Sequence, residues 1–226
     1  MSLSTGRGPL SPNPAGWFTA PVPGGVTYIE PHRRRVRALK DGQIVVDSER
    51  VLLVHRPGAP PEYAFPAGDI TGLPSQPEPE ADGYAHVEWG AADAWYEEDE
   101  QVFGHPRNPY HRVDCLHSGR RLRVEAAGEV LVDTTDTLVV CETALAPRLY
   151  VHPRHVRTDL LSKSETQSFC PYKGTATYWS ALIGDIVLED VAWSYEDPLP
   201  ESVPLQHHLS FYDDRVSVVC ELPPSG

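Results

Sequence analysis

The feature that most constrains this chain is that it repeats itself. Residues 36–54 read VRALKDGQIVVDSERVLLV, and residues 122–140 read LRVEAAGEVLVDTTDTLVV. Gly42 matches Gly128 and Asp47 matches Asp133, both at an offset of 86. Tyr63 and Pro66 match Tyr150 and Pro153 at 87, Ala94-Trp95 matches Ala192-Trp193 at 98, and Arg112-Val113 matches Arg215-Val216 at 103. An ordered series of matches with slowly growing offsets marks a duplication with insertions. The 226 residues suit one or two compact domains, so two tandem copies of one small unit are expected.

The local patterns are those of strands. Leu122, Val124 and Ala126 alternate with Arg123 and Glu125, and Val216 and Val218 alternate with Arg215 and Ser217. β-Branched and aromatic residues fill 137–141, 175–179 and 186–193, each run bounded by Gly, Pro or Asp. With 23 Pro and 17 Gly, turns are frequent, and no 3.6-residue stripe runs beyond about two turns. The glycines before V-V-D and L-V-D suit tight turns at positive φ. A short helical turn is expected after Pro66 or Pro153. The sequence therefore predicts a mainly β protein of two small antiparallel domains, 29–116 and 117–226. They are preceded by a Pro/Gly-rich arm over 1–28, in which Trp17 and Phe18 form either a docking anchor or part of a disordered tail.

Several classes of function are disfavoured. Nineteen Lys+Arg against 32 Asp+Glu give a net charge of −13, a poor match for a phosphate backbone. The one basic run, His32 to Arg35 with Arg37, is short, so no nucleic-acid partner is expected. No apolar run approaches the ~18 residues of a membrane helix, and residues 1–25 lack the apolar stretch of a secretory signal. A cytoplasmic location follows, with Cys115, Cys141, Cys170 and Cys220 as free thiols, because no C-x-x-C pair occurs. His152-x-x-His155 and His207-His208 lack a third ligand at standard spacing, and no Walker, G-x-G-x-x-G or G-x-S-x-G motif is present. No metal and no cofactor are expected.

The two repeats share scaffold residues, but only one carries reactive ones. The stretch from Pro153 to Trp193 is 11 positions longer than that from Pro66 to Trp95. It contains SFCPYKGTATYWSA, where the first repeat has neither Cys nor Lys. In Cys170-Pro171-Tyr172-Lys173-Gly174 a rigid turn can hold a thiol and an ammonium on one side, and a nearby cation favours the thiolate. The alternative is a buried apolar Cys170 beside a solvent-exposed Lys173. Glu142 ends an apolar strand where the first repeat has Arg56, and could act as a base or pair with Lys173 or Arg148. His152 stands opposite Phe65 in the sequence alignment, a titratable group in place of an apolar one. Tyr178, Trp179, Trp193 and Tyr195 supply aromatic walls with hydroxyls at the rim.

The C-P-Y-K-G stretch, followed by T-Y-W-S and W-S-Y-E-D-P-L-P-E, resembles the bacterial and fungal domain-of-unknown-function family 427. The resemblance extends to V-F-G-H-P-R-N-P-Y-H-R-V-D, E-T at 142–143 and F-Y-D-D-R-V at 211–216. It looks like a tandem form in which the first domain lacks the C-P-x-K-G signature. The resemblance implies a small, curled, mainly β fold, and by similarity marks Glu142, Tyr150, Cys170, Lys173, Tyr178, Trp193 and Tyr195. The family is sometimes labelled nucleotidyltransferase-like. That chemistry usually needs paired carboxylates for two metals or a phosphate-cradling loop, and neither spacing is visible here.

The functional expectation is one small-molecule pocket in the second repeat. Cys170 would be the nucleophile, Lys173 its electrostatic partner, and Glu142 or His152 the proton carrier, with Tyr150, Tyr178, Trp179, Trp193 and Tyr195 as walls. The alternatives are a non-catalytic binding module or a protein-interaction scaffold. A homodimer is compatible with any of these.

Overall fold

The computed structural model describes residues 3–221; the first two residues of the expected arm and the last five of the expected second domain lie outside the described residues. The chain is mainly β, with several antiparallel sheets joined by short 3₁₀ turns. It divides into two compact units, Met1–His111 and Arg112–Gly226. The expected boundary after residue 116 falls inside a strand, Val113–Ser118, which pairs along its whole length with Thr137–Glu142.

Among the described residues the first unit has nine strands: β1 (Tyr28–His32), β2 (Val36–Lys40), β3 (Gln43–Ser48), β4 (Val51–His55), β5 (Glu62–Pro66), β6 (Gln76–Pro77), β7 (Tyr84–His86), β8 (Ala94–Glu97) and β9 (Glu100–Val102). They form sheets in the orders β1-β4-β5-β7-β6 and β3-β2-β8-β9. One core joins Val36, Ala38, Val46 and Trp95 of the smaller sheet to Val51, Leu53, Tyr63 and Phe65 of the larger. Residues 3–15 of the arm are folded back on themselves. The Leu10 amide donates to Leu3 O at 2.8 Å, Ala15 N to Arg7 O at 2.9 Å, and Gly58 N to Ser4 O at 2.7 Å. Trp17 is 89% exposed.

Among the described residues the second unit has ten strands: β10 (Val113–Ser118), β11 (Leu122–Ala126), β12 (Glu129–Thr134), β13 (Thr137–Glu142), β14 (Arg148–Val151), β15 (Leu161–Cys170), β16 (Gly174–Ile183), β17 (Ile186–Tyr195), β18 (Leu209–Phe211) and β19 (Ser217–Cys220). A seven-stranded sheet runs β10-β13-β14-β18-β17-β16-β15, and a three-stranded sheet runs β12-β11-β19. Strand periodicity gives the large sheet two apolar faces. One contributes Leu149, Val151, Val191, Ala192, Leu209 and Phe211 to a core with Leu122, Val124, Leu131 and Val132 of the small sheet. The other gathers Leu138, Val140, Tyr150, Ala176, Trp193, Tyr195 and Leu205.

At an offset of 86 the pairings of the first unit recur in the second. Val36↔Ser48 corresponds to Leu122↔Thr134, Leu52↔Ala64 to Leu138↔Tyr150, and the bridge Val46↔Ile70 to Val132↔Val156. Both β2–β3 and β11–β12 close through two residues of positive φ, Asp41-Gly42 (49° and 73°) and Ala127-Gly128 (46° and 85°), as a two-residue hairpin of this hand requires. Two-toothed ion pairs from Arg35 to Asp47 and from Arg121 to Asp133 brace both hairpins. The expected helical turns occur after both prolines, over Ala67–Asp69 and Pro153–His155.

The register corrects three of the sequence alignments. Ala64, not Tyr63, holds the place of Tyr150, and a one-residue slip moves a side chain to the other face. Accordingly Tyr63 lies in the core cluster of its unit and Tyr150 on the second face of its sheet. Pro66, not Phe65, holds the place of His152: each is the residue before its helical turn. Trp95 lies opposite Ala38, the place that Val218 occupies opposite Val124, whereas Trp193 belongs to the large sheet. The pairs Phe65↔Ala85 and Val151↔Leu209 put the later partners 124 apart, so 38 positions rather than 11 enter the second unit here. They build β15, β16 and most of β17, where the first unit has only the two-residue β6.

Candidate functional site

The signature turn closes the β15–β16 hairpin, with Cys170 paired to Gly174. Gly174 has φ +96°, and a Cβ there would meet Asp197 O at 3.2 Å, so the position needs glycine. The turn is clamped from outside: Leu199 N donates to Lys173 O at 3.2 Å, and the Ser202 hydroxyl donates to Tyr172 O at 3.2 Å. Tyr172 is buried. These contacts hold Lys173 inward, where its ammonium pairs with Glu142 at the end of β13. The side chains are 11% and 7% exposed, so the solvent-facing lysine of the alternative reading does not occur.

Above this pair the second face of the large sheet opens into a cavity of about 320 Å³. Register explains its lining: Tyr178 faces Trp193 and Ala176 faces Tyr195 across β16–β17, and Tyr150 faces Leu138 across β13–β14. The Trp193 indole N–H donates to Tyr150 Oη at 2.9 Å, with the rings at 88°. Tyr212 packs on Trp193 at 4.4 Å between ring centres. The Tyr178 hydroxyl lies 2.9 Å from the Ser168 hydroxyl and 3.3 Å from that of Tyr212. The Arg148 guanidinium sits 5.8 Å from the Trp193 ring and 3.4 Å from Asp213. The Lys173 ammonium lies 6.0 Å from the Tyr195 ring centre.

Tyr150, Tyr195 and Tyr212 are protonated at neutral pH. Burial pushes the Tyr150 and Tyr195 hydroxyls well above the ordinary tyrosine range. Burial, aided by the Tyr178 hydroxyl, pushes Tyr212 up to about 12.

The structure thus gathers six of the nine expected site residues around one cavity: Glu142, Tyr150, Lys173, Tyr178, Trp193 and Tyr195. Cys170 is half-buried at the turn beside the cavity but is not part of its wall. Trp179 lies on the opposite face, one step from Tyr178, where its N–H donates to Ser194 Oγ at 2.9 Å and Lys163 caps its ring. His152 is exposed; its Nδ1 accepts from Arg154 N at 3.2 Å, capping the helical turn, and its ring lies against His208. Tyr212, Arg148 and Ser168 also line the cavity. The F-Y-D-D-R-V stretch contains Tyr212 and was the available signal for it.

Among the described residues no cluster of three His, Cys, Asp or Glu could hold a metal ion. The four cysteines are unpaired. No described helix is long and apolar enough to cross a membrane. In the first unit, Arg56 stands at the place of Glu142 and pairs with the buried Glu78 at 2.7 Å, the charges reversed. A cavity of about 160 Å³ there is bordered by Tyr63, Trp89 and Trp95.

The second unit is therefore a two-sheet β domain with one dry face and one hollowed, aromatic face over a buried ion pair. Residues 114–221, which lie in the second unit, match the family described as Domain of unknown function (DUF427). No curated protein matches the chain.

Proposed function

We propose that the second unit binds a small polar molecule in the cavity over the Lys173–Glu142 pair. The observation that carries this reading is the convergence of a buried ion pair, aromatic walls and hydroxyls on one concave surface. Where the ligand is also a substrate, Glu142 and Lys173 are the groups equipped to move a proton. Cys170 is not placed as the nucleophile, because its thiol is off the wall. In this reading the protein works in the cytoplasm with its thiols reduced. The first unit is a diverged copy of the second, a history supported by the recurrent pairings at offset 86 and by the paired hairpin turns.

The test is a thermal-shift screen of small polar metabolites against the whole chain. A ligand should stabilise the wild type and the Cys170→Ala variant alike. Ser168→Trp, at an exposed rim position, should block it. A ligand whose effect survives Ser168→Trp unchanged binds elsewhere and overturns the assignment.

A further inference from the structure

We infer that the cavity is built for an aromatic carboxylate, an inference that rests on the reading of this cavity as a ligand site. The side chains at its inner end are rich in hydrogen-bond donors and poor in acceptors. Tyr195 is 5% exposed, yet among the described residues its hydroxyl has no hydrogen-bond partner. A hydroxyl that opens on the cavity and has no protein partner is free to bond a ligand atom there. Tyr150 Oη accepts from Trp193, which leaves its own proton to give. Lys173 has three hydrogens and engages Glu142 with its ammonium. Burial keeps both phenols protonated, so they act as donors. A group held among two phenol O–H bonds and an ammonium must be an acceptor.

Charge refines the class. Lys173 and Arg148 face one wall carboxylate, Glu142, and Glu142 is matched by Lys173. The Asp213 carboxylate that approaches Arg148 is two-thirds exposed and off the wall. One positive charge at the cavity thus matches a monoanion rather than a phosphate dianion. The flat faces of Trp193 and Tyr212 supply the rest of the fit, since planar rings stack on them. About 320 Å³ accommodates a molecule of one or two rings.

The probes are benzoate, benzamide, benzylamine and phenyl phosphate, titrated calorimetrically against the whole chain. Benzoate should bind about tenfold more tightly than benzamide, as a charge-assisted hydrogen bond implies, with benzylamine weaker still. Tyr195→Phe removes one hydroxyl and keeps the ring. It should lower benzoate affinity about tenfold while leaving the melting temperature near that of the wild type. Tighter binding of benzylamine or benzamide than of benzoate, abolished by Ser168→Trp, would overturn the carboxylate assignment and leave the cavity as a ligand site. Phenyl phosphate binding tenfold above benzoate would likewise replace carboxylate by phosphate. Unchanged benzoate affinity in Tyr195→Phe would remove the hydroxyl from the argument and defeat the inference. Binding of none of the four also defeats it, while the metabolite screen decides separately whether the cavity takes any ligand.

Discussion

Lys173→Met is the most searching perturbation of the site. Methionine keeps most of the length and apolar stem of the lysine and deletes the ammonium. Glu142 is then left at 7% side-chain exposure without the ammonium that balances it. Removing one partner of a fully buried pair typically costs about 3–5 kcal/mol. Here the pair borders an open cavity of about 320 Å³, from which water can reach the carboxylate. The expected loss is therefore smaller, about 2–3 kcal/mol. Glu142→Gln in the same background removes the carboxylate charge that Lys173 balanced and should recover part of that loss. The two units carry separate cores, so a single melting transition is a poor readout. Amide hydrogen exchange resolved by peptide is the suitable assay. Protection should fall in peptides spanning 137–142 and 174–195 and stay unchanged over 36–55. Loss of less than about 0.5 kcal/mol, the range of an ordinary surface change, would refute the buried-pair reasoning, as would strictly additive effects of the two substitutions.

Two further outcomes follow from named residues. In the first unit, burial acts to raise the Glu97 carboxyl, but the His32 imidazole 3.3 Å away and hydrogen bonds from Tyr63 and Arg34 prevail and hold it at about 2. A depressed carboxyl stabilises above its unfolded value of 4.5 and loses that contribution as pH falls towards 2. Protection of the first unit should thus drop by roughly 3 kcal/mol between about pH 5 and pH 2, and Glu97→Gln should flatten the dependence in an acid titration followed by hydrogen exchange. Gly174→Ala forces an L residue to φ +96° with its Cβ 3.2 Å from a backbone oxygen, whereas at Gly128 (φ +85°) nothing lies within 4 Å. The first should cost about 2–3 kcal/mol and the second about 1 kcal/mol in chemical denaturation; equal costs would show that the close approach to Asp197 is unimportant.

Much of the scaffold is legible in the chain. Alternation at Leu122–Ala126 gives a strand, the Gly42 and Gly128 turns give hairpins, and Pro66 and Pro153 place the helical turns. The site is legible where residue chemistry is unusual, as at Lys173 and Glu142. It is illegible where the side of a strand decides. Tyr178 and Trp179 are adjacent aromatics of similar character, and only the pairing register sends the first to the cavity and the second to the far face. Likewise matching Tyr63 to Tyr150 by identity is off by one residue in the pairing register, because the two tyrosines serve different ends, one as core and one as wall. His152 looks chemical in the sequence, yet it serves as a cap because it precedes Pro153 at the start of a turn. Tyr212 is missed because it reaches the cavity from beyond β18, some 40 residues from the signature.

The long hairpin formed by β15 and β16, together with β17, has a consequence for how such proteins are recognised. The Cys-Pro-Tyr-Lys-Gly signature of the second unit rides on ten-residue strands, whereas β6 of the first unit has two residues. Undecorated counterparts in other proteomes would be found by hairpin geometry and bracing pairs such as Arg35 with Asp47, not by the cysteine–proline signature.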